Sequence, residues 1–301
     1  MIVYQKFNLS DFSDCLIVTD ELLGELYGIK GGNVYYLPRG ESAKSFENVE
    51  KLCKWFLSRN LERRGRVVAV GGGSVGDTVG FAASIYKRGV ALTHVPTTLV
   101  AQIDSSIGGK TAIDLDGVKN AVGTFYSADT LIDIRFLQTL PQEQILCGQG
   151  ELLKYRMLSS EIDGVFARGN VENTVRACAE YKNNVCSIDP YDSGVRRRLN
   201  FGHTVGHALE LSCGLTHGAA VANGIYYATN LAYKLGKCAK SYRDEWTDKV
   251  KALFPIVPLS REILELTRFD KKNVGGKVTF VLPDAFDETS VSTEELISLL
   301  L

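Results

Sequence analysis

Short runs of β-branched and apolar residues recur through the first half of the chain. They are "CLIVTD" (15–20), "NVYYLP" (33–38), "RVVAV" (66–70), "ALTHVP" (91–96) and "TLIDI" (130–134). Each has the length and residue type of a strand. Between them, residues 43–59 and 75–88 carry apolar positions at helical spacing. Strand–helix alternation of this kind predicts an α/β domain with a largely parallel sheet. After about residue 140 the spacing becomes helical over 141–159, 171–187, 196–212, 218–236, 243–253 and 260–268. "KVTFVLP" (277–283) is the one clear late strand. The change predicts a boundary near Pro141, with an α/β domain over 1–140 and a mostly α-helical domain over 141–301. A cleft between two such domains is a usual place for a small-molecule site.

Composition narrows the class. The 301 residues carry a formal net charge of -1. That gives no global basic field, so no nucleic-acid or membrane partner is expected. Arg196, Arg197 and Arg198 could still bind a local anion. Seven cysteines are scattered without a C-x-x-C pair, which argues for a reducing compartment. The start, "MIVYQKFNLSDF", has no apolar signal region. No apolar run approaches the roughly 18 residues of a membrane span, so a cytoplasmic location is expected.

"RVVAVGGGSVGD" reads as a strand, a glycine run and a helix start, with Gly71, Gly73 and Gly76 in G-x-G-x-x-G spacing. Such a turn lets backbone amides approach a pyrophosphate at the positive end of a helix. The next strand does not end in the acid that should grip a ribose. Asp20 and Glu41, which follow the two preceding strands, are candidates for that task, and Asp77 is a further polar contact. The polar run 96–120 reads as a long loop, a rare feature unless functional. It holds Asp104, Lys110, Lys119 and Asn120, with glycines at 108 and 109. Arg88, in "YKRG", could join an anion site there.

Three of the four histidines, His203, His207 and His217, fall within fifteen residues. His203 and His207 are four apart and share a helix face. "GELLKY" (150–155) puts Glu151, Lys154 and Tyr155 on one face of another helix. Histidines with a carboxylate on a neighbouring helix suit a metal. Thr204 stands where a metalloprotease helix would carry its glutamate. Spacing does not say which of His203 and His207 is a ligand.

These segments resemble the 3-dehydroquinate synthase family, within the sugar-phosphate cyclases. The likeness runs from about Asp20 to Leu282. It is carried by "GGGSVGD", "YKRG", "VPTTLVAQIDSSIGGKT", "KN", "TLP", "GELLKY", "RRRLNFGHTVGHALE" and "HGAAVA". The resemblance implies a Rossmann-like NAD-binding α/β domain followed by a helical metal-binding domain, with NAD and Zn²⁺ (or Co²⁺) as cofactors. It also implies a homodimer acting on a small sugar-phosphate, 3-deoxy-D-arabino-heptulosonate 7-phosphate. The implied reaction is transient oxidation, phosphate elimination, reduction and intramolecular aldol closure to 3-dehydroquinate, in the shikimate pathway. By resemblance, Glu151, His203 and His217 are the metal ligands, with His207 beside them as a catalytic group. Asp20, Glu41, Lys44, Gly73, Ser74, Asp77, Thr97, Thr98, Asp104, Lys119 and Thr139 match cofactor positions. Arg88, Lys110, Asn120, Lys182, Arg196, Asn200 and Lys272 match substrate positions, and Lys110, Lys154 and Asn200 also match catalytic ones.

Gln144, Ala219, Pro190 and Asp192 depart from the family's usual glutamates. None of them is a proposed metal ligand. Other readings are a cyclase for sedoheptulose 7-phosphate or glucose 6-phosphate, a metal-dependent alcohol or glycerol-phosphate dehydrogenase, and a non-catalytic binding protein. Arg196, Asn200 and His207 are all present, which favours dehydroquinate synthesis among the cyclases.

Overall fold

A computed structural model describes residues 1–269, 277–283 and 285–301. The chain forms two compact units, Met1–Pro141 with Ala179–Tyr191, and Gln142–Cys178 with Asp192–Leu301. In the first unit the order is β1 (Ile2–Tyr4), β2 (Leu16–Asp20), α1 (Glu21–Tyr27), β3 (Val34–Leu37), α2 (Phe46–Ser58), β4 (Arg66–Gly71), α3 (Gly73–Ile85) and β5 (Ala91–Pro96). β6 (Lys110–Leu115), β7 (Val118–Phe125) and β8 (Asp129–Ile132) follow.

Six strands make one sheet in the order β1-β8-β5-β4-β2-β3, and every pairing in it is parallel. The predicted parallel α/β architecture is thus present. Alternate residues feed opposite faces, as the two-residue strand period requires. Leu16, Val18, Val67 and Ala69 join the core under α2 and α3, where Val49, Leu52 and Phe56 sit at helical spacing. Cys15, Ile17, Val68, Val70 and Val95 fill the other face. Ser45 starts α2 by accepting a hydrogen bond from the Asn48 amide, the usual way to satisfy a free helix-end donor. Without β1, the strand order is that of a doubly wound sheet whose direction switches between β2 and β4. Ligands bind such sheets beyond the carboxyl ends of the strands at that point. Asp20 ends β2 there, and the glycine loop leaves β4 there.

The polar stretch 96–120 differs from its expectation as a long loop. A π-helical turn, Ala101–Ser105, is followed by the antiparallel hairpin of β6 and β7. Its two-residue turn, Asp116-Gly117, has positive φ at both positions, 49° and 77°. Asp-Gly favours this conformation because glycine lacks the Cβ that opposes it. The polar residues that suggested a loop lie on exposed strand faces: six of the eight β7 residues are exposed.

The second unit comprises α4 (Gln142–Leu158), α5 (Ser160–Ala167) and the start of α6 (Val171–Ile188). It continues with α7 (His203–Cys213), α8 (His217–Lys234), α9 (Lys240–Lys251), α10 (Arg261–Leu266), β9 (Val278–Val281), β10 (Glu288–Val291) and α11 (Thr293–Leu300). Leu153, Phe201, Val205, Leu209, Ile225, Trp246 and Phe280 belong to one core. The helix expected over 196–212 is broken. Val195–Asn200 is a 3₁₀ segment, and α7 starts only after Gly202, whose φ is 81°. Gly202 also packs closely against α8: a methyl group on it would meet the Val221 carbonyl at 2.9 Å. Arg196 and Asn200 therefore do not share a helix with His203. Among the described residues, no helix is long and apolar enough to cross a membrane, and all seven cysteines are free.

Candidate active site

Close helix packing creates the candidate metal centre. A methyl group on Gly150 of α4 would stand 2.0 Å from the Gly218 carbonyl oxygen, and one on Gly218 of α8 would stand 1.8 Å from that of Cys147. Only hydrogen fits at this crossing. The next residue on α4 is Glu151, and the one before Gly218 is His217, so the crossing brings the two face to face. His217 Nε2 lies 2.9 Å from Glu151 Oε1, and His203 Nε2 lies 3.3 Å from the same oxygen. One potential ligand atom from each of the three lies within 4.8 Å of the others.

The outer contacts suit ligation. His203 Nδ1 is 3.1 Å from the Phe201 carbonyl, and His217 Nδ1 is 3.3 Å from Glu210 Oε2. A ring that donates from Nδ1 turns its Nε2 lone pair inward, the arrangement that orients metal-binding histidines. Lys154 Nζ holds the second Glu151 oxygen at 2.5 Å, and both residues are 1% exposed. Burial holds His203 down to about 4, against the pull of Glu151, and so keeps it neutral. Burial also opposes charge on His217, but the Glu151 and Glu210 carboxylates outweigh it and raise the imidazole to about 10. Glu151 stays well below the usual carboxylate range because Lys154 and the histidines overcome its burial. Two neutral-capable imidazoles and one buried carboxylate fit a Zn²⁺-type ion with open positions for a ligand.

His207 is exposed and stands edge-on to His203, with ring centroids 5.3 Å apart. It is not among the converging set. Glu210 was absent from the sequence expectations. Its signal was its place seven residues after His203, which puts it on the same helix face. Arg196 is buried and Asn200 half-buried on the preceding 3₁₀ segment.

A second cluster surrounds the glycine loop. A methyl group on Gly71 would meet Val75 at 2.5 Å, and one on Gly72 would meet Thr98 at 2.9 Å. The loop is thus pressed down, with the amides of the α3 start available to an anion. Ser74 donates to Glu41 at 2.9 Å. Lys44, nearly buried, binds Asp77 at 2.8 Å and also reaches the Asn120 side chain. Burial pushes the Asp77 carboxyl up to about 6 although Lys44 pulls the other way. Lys182 of α6 pairs with Asp104. Asp20 caps α1 by accepting from the Leu23 amide at 3.0 Å. Thr97 is buried, and Thr98 accepts from the Ala101 amide at 3.2 Å. Thr139 is exposed and bonded to the Tyr27 hydroxyl. Lys110 and Lys119 are exposed on the hairpin. Arg88 is exposed beyond the far end of α3, a helix of about 20 Å, and so is separated from the glycine loop. Lys272 lies outside the described residues.

Comparison with known proteins identifies the family. Profiles described as "3-dehydroquinate synthase N-terminal" and "3-dehydroquinate synthase C-terminal" match residues 34–147 and 148–273. The 3-dehydroquinate synthase of Dictyoglomus turgidum is 38% identical over 90% of this chain and 83% of its own length. Two solved cyclases share the fold. One is 2-epi-5-epi-valiolone synthase from Streptomyces hygroscopicus with NAD⁺ and Zn²⁺ bound, at 26% identity and TM-score 0.84, covering all of this chain and 95% of that one. The other is 2-deoxy-scyllo-inosose synthase complexed with carbaglucose-6-phosphate, NAD⁺ and Co²⁺, at 26% and 0.82, covering 99% and 95%. Identity is higher to the dehydroquinate synthase than to either of these cyclases, and the two profiles together span most of the sequence. The chain belongs to the 3-dehydroquinate synthase family.

Proposed function

We propose that the chain converts 3-deoxy-D-arabino-heptulosonate 7-phosphate to 3-dehydroquinate and phosphate, with Glu151, His203 and His217 holding Zn²⁺ or Co²⁺ and the glycine loop holding NAD. The observation that carries this reading is the convergence of one buried carboxylate and two oriented imidazoles on a common point. A bound divalent ion supplies Lewis acidity towards substrate hydroxyls. The dinucleotide supplies a hydride acceptor that is restored within each turnover.

The chain's own residues have separable tasks in this proposal. Lys154 fixes the Glu151 carboxylate and adds positive charge where hydroxyls would lose protons. His207, accessible and beside His203, moves protons to and from substrate. Arg196, Asn200, Lys110, Asn120, Lys182, Arg88 and Lys272 are the cationic and amide groups that a substrate with a carboxylate and a phosphate requires. Gly73, Ser74, Asp77, Thr97 and Thr98 border the dinucleotide phosphates, with Asp20, Glu41 and Lys44 towards the ribose, and Asp104, Lys119 and Thr139 along the remainder. The domain division near Pro141, a homodimer and a cytoplasmic location belong to the same proposal; the free cysteines support a reducing compartment.

Purified protein incubated with the heptulosonate phosphate, NAD⁺ and Zn²⁺ should release phosphate and dehydroquinate in equal amounts without net NADH. Phosphate release from sedoheptulose 7-phosphate alone would move the assignment to another cyclase. Net NADH production would move it to a dehydrogenase.

A further inference from the structure

Two polar atoms beneath the glycine loop have no part in the site described so far. His94 of β5 is 8% exposed, and its Nδ1 has no hydrogen-bond partner among the described residues. Ser105 Oγ, at the end of the π-helical turn, is likewise buried and unpartnered. Both face the first turn of α3. A methyl group on Gly76 would stand 3.4 Å from His94 Nδ1, and one on Gly73 would stand 3.3 Å from Ser105 Oγ. The two residues line one small cavity together with Gly71, Gly72, Asp77 and Lys110. About 10 Å³ there is open to the centre of a water molecule, room for one.

The chemistry calls for a partner. Burial pushes His94 down to about 4, so its ring is neutral at pH 7. A neutral imidazole offers one donor and one acceptor, and leaving either unmet in a core is unfavourable. The first amides of α3 have no carbonyl partner within the helix, and Gly72 offers no side-chain cap.

We propose that His94 and Ser105 hold one water against the first turn of α3, and that this water braces the turn whose amides are presented to the dinucleotide phosphates. His94 is then a positioning residue. The second clause rests on the NAD reading given above; the first does not.

The test compares full-length wild type with His94→Leu, His94→Gln and Ser105→Ala. Amide hydrogen exchange over residues 71–80, NAD⁺ affinity and zinc content are measured for each. His94→Leu should speed exchange in that segment roughly tenfold. It should weaken NAD⁺ binding about tenfold, the loss of one hydrogen bond, with zinc content unchanged. His94→Gln, which keeps a donor and an acceptor, should restore most of both. Wild-type exchange and affinity in His94→Leu would overturn the proposal. So would a His94→Gln protein as impaired as His94→Leu, since packing would then be the whole effect. If His94→Leu fails to fold, Ser105→Ala carries the same expectations from the other side of the cavity. A wild type that binds no NAD⁺ would overturn the dinucleotide reading, and exchange over 71–80 would then decide the water site alone.

Discussion

The candidate metal cluster and the glycine loop are built in opposite ways. Around Glu151 the groups are side chains tied to one another, with Glu151 and Lys154 buried and the two histidines half-buried, on helices that meet through glycine at carbonyl contact. Around Gly73 the backbone amides of the α3 start join side chains, of which Glu41 and Lys110 are exposed. A metal ion needs a few strong ligands at fixed distances. A dinucleotide is held by many weaker bonds. Damage to the first region should therefore be nearly all-or-none, whereas damage to the second should be graded.

The largest effect is expected at the helix crossing. Gly218→Ala forces a methyl group into the Cys147 carbonyl, 1.8 Å away, and that backbone cannot yield cheaply. Stability should fall by about 3 kcal/mol, and zinc should be lost, as read by thermal unfolding and metal analysis. Glu210→Ala leaves all three proposed ligands but frees His217 Nδ1. Metal affinity should drop about 10–100-fold in a chelator competition titration. Retention of full affinity would show that the outer carboxylate does not orient the ring.

Proton competition gives the next effect. Metal-free His217 is held up to about 10, so it carries a proton at neutral pH that a metal at Nε2 must displace. Raising the pH removes that competitor, so affinity should rise about tenfold per pH unit between roughly pH 7 and 9. Calorimetry in buffers of different protonation enthalpy should find a proton released on binding. A flat profile would contradict the picture of a charged, paired His217. The smallest effect belongs to the glycine loop. Ser74→Ala removes an exposed hydrogen bond to Glu41 and should change stability by at most about 1 kcal/mol. NAD⁺ affinity should decline severalfold without being abolished.

The same contrast explains what the sequence made legible. β2, β4 and β5 were readable because both sheet faces are buried and their runs are rich in β-branched and apolar residues. The β6–β7 hairpin was not, since most β7 residues face outwards and carry loop-like side chains; the Asp116-Gly117 turn was the available sign. The interruption before α7 was also hidden. Glycine is tolerated within a helical pattern, and the left-handed conformation of Gly202, pressed against α8, shows only in the fold. Residue type and spacing picked out the candidate metal cluster but left His203 and His207 equivalent. The tertiary crossing separates them: His203 turns towards Glu151, while His207, one turn later, remains exposed. Glu210 was legible only as one more acid on that face.

The most direct test of the account is the zinc content, per chain, of wild type, His203→Ala, His217→Ala and His207→Ala, each purified in parallel with the same zinc supply. Wild type and His207→Ala should each hold one zinc, with the latter slowed about 100-fold or more in turnover. His203→Ala and His217→Ala should hold none. Zinc kept by His203→Ala and lost by His207→Ala would contradict the split between ligand and proton-transfer group.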